Sequence, residues 1–179
     1  MKILGISGSI IGTKTMVAVN EVLKKIKEID SEVEIELLDL KDYDIQFSDG
    51  RKISEYTGDT KKVIDKVLSA DFYLIGTPVF QASLTGALKN LFDLFPPATF
   101  AGKEMGFIVT GGTYQHYLII EHQLKPIASY FRAYVEPNHV YLHTTHFNEH
   151  NEIVDTEIIE RINELAKGLL FMQKQLNIS

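Results

Sequence analysis

Short, nearly continuous apolar runs alternate with longer segments of helical period from one end of this chain to the other. Residues 2–6, 71–76 (DFYLIG) and 105–110 (MGFIVT) have strand length and little polar character, the pattern of strands buried on both faces. Residues 33–38 alternate through Val33, Ile35 and Leu37 and read as another strand, and residues 139–142 supply a fifth. Met16, Val19, Leu23 and Ile26 recur at helical spacing and predict a helix over 14–29. Further helices are predicted over 60–69, over 85–95 (halted by Pro96-Pro97), over 116–130, and after Asp155, where Ile158, Ile162, Leu165, Leu169 and Met172 form the inner stripe. Residues 41–58 are polar and turn-rich.

Strands and helices in alternation predict an α/β fold, a parallel sheet between two helical layers. Right-handed crossovers leave few topologies, led by a flavodoxin-like three-layer sandwich whose five-stranded parallel sheet has the order 2-1-3-4-5. The 179 residues hold no linker or repeat, so one domain over 1–179 is expected. In such sheets ligands bind beyond the C-terminal strand ends, which directs attention to the loops after strands one, three and four.

Composition removes several functions. There is no cysteine, hence no thiolate nucleophile, disulfide or cysteine zinc site. A net charge of -6 argues against broad nucleic-acid binding, which needs a basic face. Met1-Lys2 leads straight into Ile3–Ile6, too short an apolar run for a signal core or a membrane span, and this points to the cytoplasm.

The first loop, Ser7-Gly8-Ser9-Ile10-Ile11-Gly12-Thr13-Lys14-Thr15, precedes a helix. Its glycines free the backbone to turn N–H groups inward, Ser9, Thr13 and Thr15 offer hydroxyls, and Lys14 adds a positive charge at a helix N-terminus. That outlines a phosphate cradle; the plainer alternative is a capped turn. The spacing matches neither a Walker A loop nor G-x-G-x-x-G. After strand three, Pro78 holds the chain extended, so Val79, Phe80 and Gln81 can meet a flat heterocycle. After strand four, Gly111 and Gly112 allow close backbone approach. Each loop alone is an ordinary strand-to-helix turn; their shared end of one sheet raises the signal.

GTPVFQASLTGALKNLFDLFP resembles the TPxYxxSxxGxLKNxxDxxP segment of the NAD(P)H-dependent FMN reductases of flavodoxin fold. AGKEMGFIVTGGTYQHYLIIEHQLKPI resembles the fourth strand, glycine pair and following helix of their alkanesulfonate-assimilation branch. The resemblance covers nearly the whole chain. It implies FMN as cofactor and NADPH or NADH as co-substrate. By position it implies that Ser9, Thr13, Lys14 and Thr15 hold the phosphate, that Pro78, Val79, Phe80 and Gln81 meet the ring, and that Gly111, Gly112 and Thr113 meet its pyrimidine edge. Ile11 stands where the family commonly has arginine, which implies loosely held FMN. No side chain is assigned as catalytic acid or base, since the cofactor carries the chemistry. The resemblance further implies a homodimer or homotetramer and a flavin-dependent monooxygenase as partner. An FMN-retaining azo or quinone reductase, a flavodoxin-type electron carrier and a non-catalytic regulator are the alternatives.

Pro126 lies inside the predicted fourth-loop helix and predicts a kink or wide turn near His122. His122, with Tyr114 and His116, is a candidate substrate or interface residue. His139, His143, His146 and His150 fall close together in sequence, yet nothing requires them to converge, so no metal site is assigned.

Overall fold

The computed structural model describes residues 1–176. Its strands are β1 (Lys2–Ser7), β2 (Glu34–Asp39), β3 (Phe72–Pro78), β4 (Glu104–Gly111), β5 (Tyr134–Val135) and β6 (Val140–His143). They form one parallel sheet in the order β2-β1-β3-β4-β5, with β6 also paired to β4. The expected 2-1-3-4-5 order is there, but the fifth position is filled twice. β5 pairs with Glu104 and Met105 at the start of β4, and β6 with residues 108–111 at its end. Glu136 and Pro137 part the two. Proline cannot donate to a ladder, and the Glu136 carboxylate accepts from the backbone and side-chain N–H groups of Asn138 (2.6 and 2.7 Å). A two-residue strand ending before such a break carries no periodicity to read, which is why five strands were expected where six exist.

The helices are α1 (Lys14–Ile29), α2 (Gly58–Ser69), α3 (Gly86–Asp93), α4 (Lys125–Tyr130) and α5 (Thr156–Leu176). α1 and α5 cover one sheet face, burying Val19, Leu23 and Ile26 with Ile162, Leu165 and Leu169. α2, α3 and α4 cover the other through Val63, Leu91 and Ala128. Strand residues feed the two cores alternately: Leu4, Tyr73, Ile75 and Phe107 to one, Ile3, Phe72, Leu74 and Ile108 to the other. Full burial of each such side chain contributes roughly 1.5–3 kcal/mol. Among the described residues no helix is long and apolar enough to cross a membrane.

The helix predicted over 116–130 is not continuous. A single 3₁₀ turn spans Tyr114–His116, a π-helical turn spans Ile120–Leu124, and only then does α4 begin. Pro126 stands at the start of α4 and has no N–H for the carbonyl of residue 122, so the helix widens just before it. The wide turn expected near His122 is thereby present.

Candidate functional site

The loops after β1, β3 and β4 meet at the C-terminal rim of the sheet. The first two are bolted together. Gly8 N–H donates to the Gly76 carbonyl (2.8 Å), and the Thr85 hydroxyl donates to the Gly8 carbonyl while capping α3 through Leu88 N–H. A Cβ on Gly8 would sit 2.9 Å from the Gly76 oxygen, so only glycine allows this approach. Ser9 lies buried under the loop. Its hydroxyl donates to the Ile11 carbonyl (2.6 Å) and accepts from Ile11 N–H (3.3 Å).

At the start of α1, Thr13 occupies the cap position without a side-chain capping bond, and the first turn holds no acid. The N–H groups of Lys14 and Thr15 therefore lack intrahelical partners, and Gly12 and Thr13 N–H also have no acceptor among the described residues. Lys14 Nζ donates to Asn151 Oδ1 (2.8 Å) and lies 5.6 Å from the centre of the Phe147 ring. Thr15 is buried at the floor, its hydroxyl 2.8 Å from that of Thr110.

The two lips of the rim differ. On one, Phe80 and Ser83 exchange backbone hydrogen bonds (2.9 and 3.0 Å) around Gln81 and Ala82, whose φ angles are 47° and 63°. This is a two-residue turn of type I′ sense built without glycine. Gln123, in the π turn, braces it. Its Nε2 donates to the Ala82 carbonyl (3.1 Å), and its Oε1 accepts from the Ser83 hydroxyl (2.7 Å) and Leu84 N–H (3.3 Å).

On the other lip, His143 Nε2 donates to the Gly112 carbonyl (2.9 Å) and Tyr141 Oη to the Thr113 carbonyl (2.6 Å). Burial pushes the Tyr141 phenol up, which keeps it a donor. His143 Nδ1 accepts from Thr145 N–H (3.2 Å), so its partners assign the neutral Nε2–H tautomer. Tyr114 stacks on His143 at 4.4 Å between ring centres, and its hydroxyl lies 3.1 Å from His146 Nε2. With both carbonyls taken, and Gly112 and Thr113 N–H without an acceptor among the described residues, this lip offers donors.

Thr13, Lys14, Thr15, Pro78, Val79, Phe80, Gly111 and Gly112 line one cleft of about 350 Å³, a volume suited to a small ligand. Gln81, Thr113 and His116 open instead on an adjoining recess that shares Val79 and Gly112. Ser9 shapes the loop from below, Tyr114 buttresses His143, and His122 is exposed on the π turn and lines neither space. Sequence reasoning missed the far wall: Thr110, Leu142, Thr144, Phe147 and Asn151. A signal existed in the loop around 148–151, because asparagine is one of the few residues at ease with the positive φ (60°) that Asn151 adopts.

The histidine-rich stretch builds this wall and its supports. His143 and His146 pack ring against ring, His139 faces Glu121 (3.4 Å), and His150 faces Glu149 (3.6 Å). Among the described residues no group of three or more His, Asp or Glu side chains could hold a metal ion.

The cleft fits FMN. Its lone charged lining residue among those described is the cation Lys14, at the end where helix N–H groups are free, as an anion requires. The space beside Gly112 is open, with nothing within 4 Å of where a Cβ would stand. The Pro78–Phe80 segment supplies an apolar wall and the glycine lip a donor edge.

Comparison with known proteins agrees. Residues 1–147 match the family model described as NADPH-dependent FMN reductase. The chain is 59% identical over 176 residues to an NAD(P)H-dependent FAD/FMN reductase of Geobacillus thermodenitrificans, covering 98% of this chain and 95% of that one. In fold it is similar to an NADH:FMN oxidoreductase, EmoB, with a TM-score of 0.76, 21% identity, and coverage of 96% of this chain and 89% of the other. It is likewise similar to flavodoxin 1 from Bacillus cereus, with a TM-score of 0.66, 15% identity, and coverage of 96% and 98%. At such identities the last two likenesses concern the fold alone.

Proposed function

Since the chain belongs to the NADPH-dependent FMN reductase family, we propose that the residues of its rim cleft would hold FMN, with a reduced nicotinamide nucleotide as co-substrate. The observation that carries the residue assignment is the convergence of three loops on one cleft whose only charged lining residue among those described is Lys14.

The free N–H groups at the start of α1, with Lys14, hold the phosphate; Thr13 and Thr15 border it. Ser9 contributes by fixing the loop's shape. Pro78, Val79 and Phe80 support the ring, and Gln81 stands at the outer edge of the same lip. Gly112 and Thr113 present N–H donors to its carbonyl-bearing edge, a placement that favours negative charge there. When bound, FMN supplies the redox chemistry, taking a hydride from the nicotinamide. The chain's residues bind, orient and keep water from one side, and none serves as acid or base. Tyr114, His116 and His122 are assigned to the border of the substrate side or to a subunit contact.

We also assign residues 1–179 to one cytoplasmic domain acting as a homodimer or homotetramer. The exposed Tyr117, Leu118, Tyr130 and Tyr134 support assembly. A flavin-dependent monooxygenase is the proposed recipient of the reduced flavin.

The test is oxidation of NADH and NADPH by the purified protein with added FMN in air. Turnover that rises with free FMN is expected. Turnover with quinones or azo dyes alone, by a protein that stays yellow, would replace the proposal with an FMN-retaining reductase. Absence of oxidation with every acceptor would overturn it.

A further inference from the structure

A second cleft, of about 370 Å³, adjoins the first and has Phe80 as a common wall. Its lining is predominantly apolar, with Leu40, Tyr43, Ile45 and Phe47 from the loop after β2. Phe47 is 82% exposed, an unusual position for a phenyl ring unless something covers it. The backbone that carries it is pinned, because Asn90 of α3 holds both neighbours. Asn90 Oδ1 accepts from Ser48 N–H (2.9 Å), and its Nδ2 donates to the Gln46 carbonyl (3.0 Å). Gln46 N–H also donates to the Thr60 hydroxyl, and the Ser48 hydroxyl to the Asp93 carbonyl (both 2.9 Å). Among the described residues the cleft has one charged lining residue, Asp44, and no lysine or arginine.

We propose that this second cleft binds the adenosine half of the nicotinamide nucleotide, with the purine against Phe47 and Tyr43 and the ribose hydroxyls on Asp44. The assignment rests on the reductase reading above. Three features support it. The shared Phe80 wall sets the groove beside the place where the nicotinamide must work. An exposed aromatic ring carried on a pinned backbone segment suits a purine face, and stacking is indifferent to ring substituents. A carboxylate accepts from a ribose 2′-hydroxyl but repels a 2′-phosphate, so the groove selects NADH over NADPH.

The test compares wild type, Phe47→Ala and Asp44→Lys with NADH, NADPH and reduced nicotinamide mononucleotide, which lacks the adenosine. In Phe47→Ala the kcat/KM for NADH should fall about tenfold relative to that for the mononucleotide. Titration calorimetry should show 5′-AMP binding to the wild type and not to Phe47→Ala. Asp44→Lys should raise the NADPH-to-NADH preference at least tenfold. A Phe47→Ala protein with an unchanged NADH-to-mononucleotide ratio overturns the proposal, and if its sedimenting mass also drops, the groove is a contact with a second copy. A wild type that oxidises neither dinucleotide with added flavin removes the reductase reading itself.

Discussion

Gln81 and Ala82 stand side by side at positive φ, a region that costs a non-glycine residue about 1 kcal/mol or more. Ala82→Gly is expected to raise stability by about 0.5–1 kcal/mol, measured by urea unfolding. Gln123→Ala removes the three bonds that tie the turn to the π turn and is expected to weaken FMN binding by about three- to tenfold, read from quenching of flavin fluorescence. Far from the rim, Glu104 is fully buried with both carboxylate oxygens unpartnered, and burial with the nearby Glu136 charge raises its pKa to about 9. The fold therefore prefers protonated Glu104, and its contribution is whole below the unfolded value near 4.5 and is lost as pH rises from there through about 9. Stability should fall with rising pH across that window, and Glu104→Gln should flatten the decline, as scanning calorimetry at pH 5.5 and pH 8 would show. Residue types at the rim were readable from sequence because glycines, prolines and hydroxyls announce turns. The partners of Gln123 were not, since a hydrogen bond reaching 40 residues along the chain leaves no local pattern.

Among the elements, α1 shows the closest agreement between periodicity and structure, because its apolar stripe, its start after Gly12-Thr13 and its end at Ile29 are all local properties. Its N-terminus is also where the phosphate assignment can be tested. Lys14→Ala should weaken FMN about tenfold and leave riboflavin, which has no phosphate, unaffected; equilibrium titration of both flavins at low and high salt checks this. The segment after β4 was harder to read. Pro126 announced a wide turn, but the apolar spacing of Tyr117, Ile120, Leu124 and Ile127 looks the same for a continuous helix and an interrupted one. β5 was invisible for the opposite reason: two residues are too few to form any pattern.

For the whole molecule, a ligand that binds only the native state stabilises it by mass action. FMN at about 100 times its dissociation constant should add about 2.7 kcal/mol, a rise of roughly 5–10 °C in the thermal midpoint of a protein this size. Calorimetry with and without FMN measures it, and riboflavin separates the phosphate's share. The layered architecture was legible because doubly buried strands and amphipathic helices write their burial into composition. The far wall of the cleft was less so, because Phe147 and Asn151 act through distance in space from a stretch whose histidines suggested other chemistry.

The two lips also differ in what they can do. The glycine side is fastened to the last strand by stacked rings and a tyrosine, whereas on the opposite side the base is pinned by Val79 N–H to the Thr110 carbonyl and the Gln81–Ala82 tip is tied to the π turn through one amide, Gln123. A bulky planar guest entering that mouth therefore meets a rigid edge on the glycine side and, at Gln81–Ala82, a tip whose tie to the neighbouring π turn runs through one side chain.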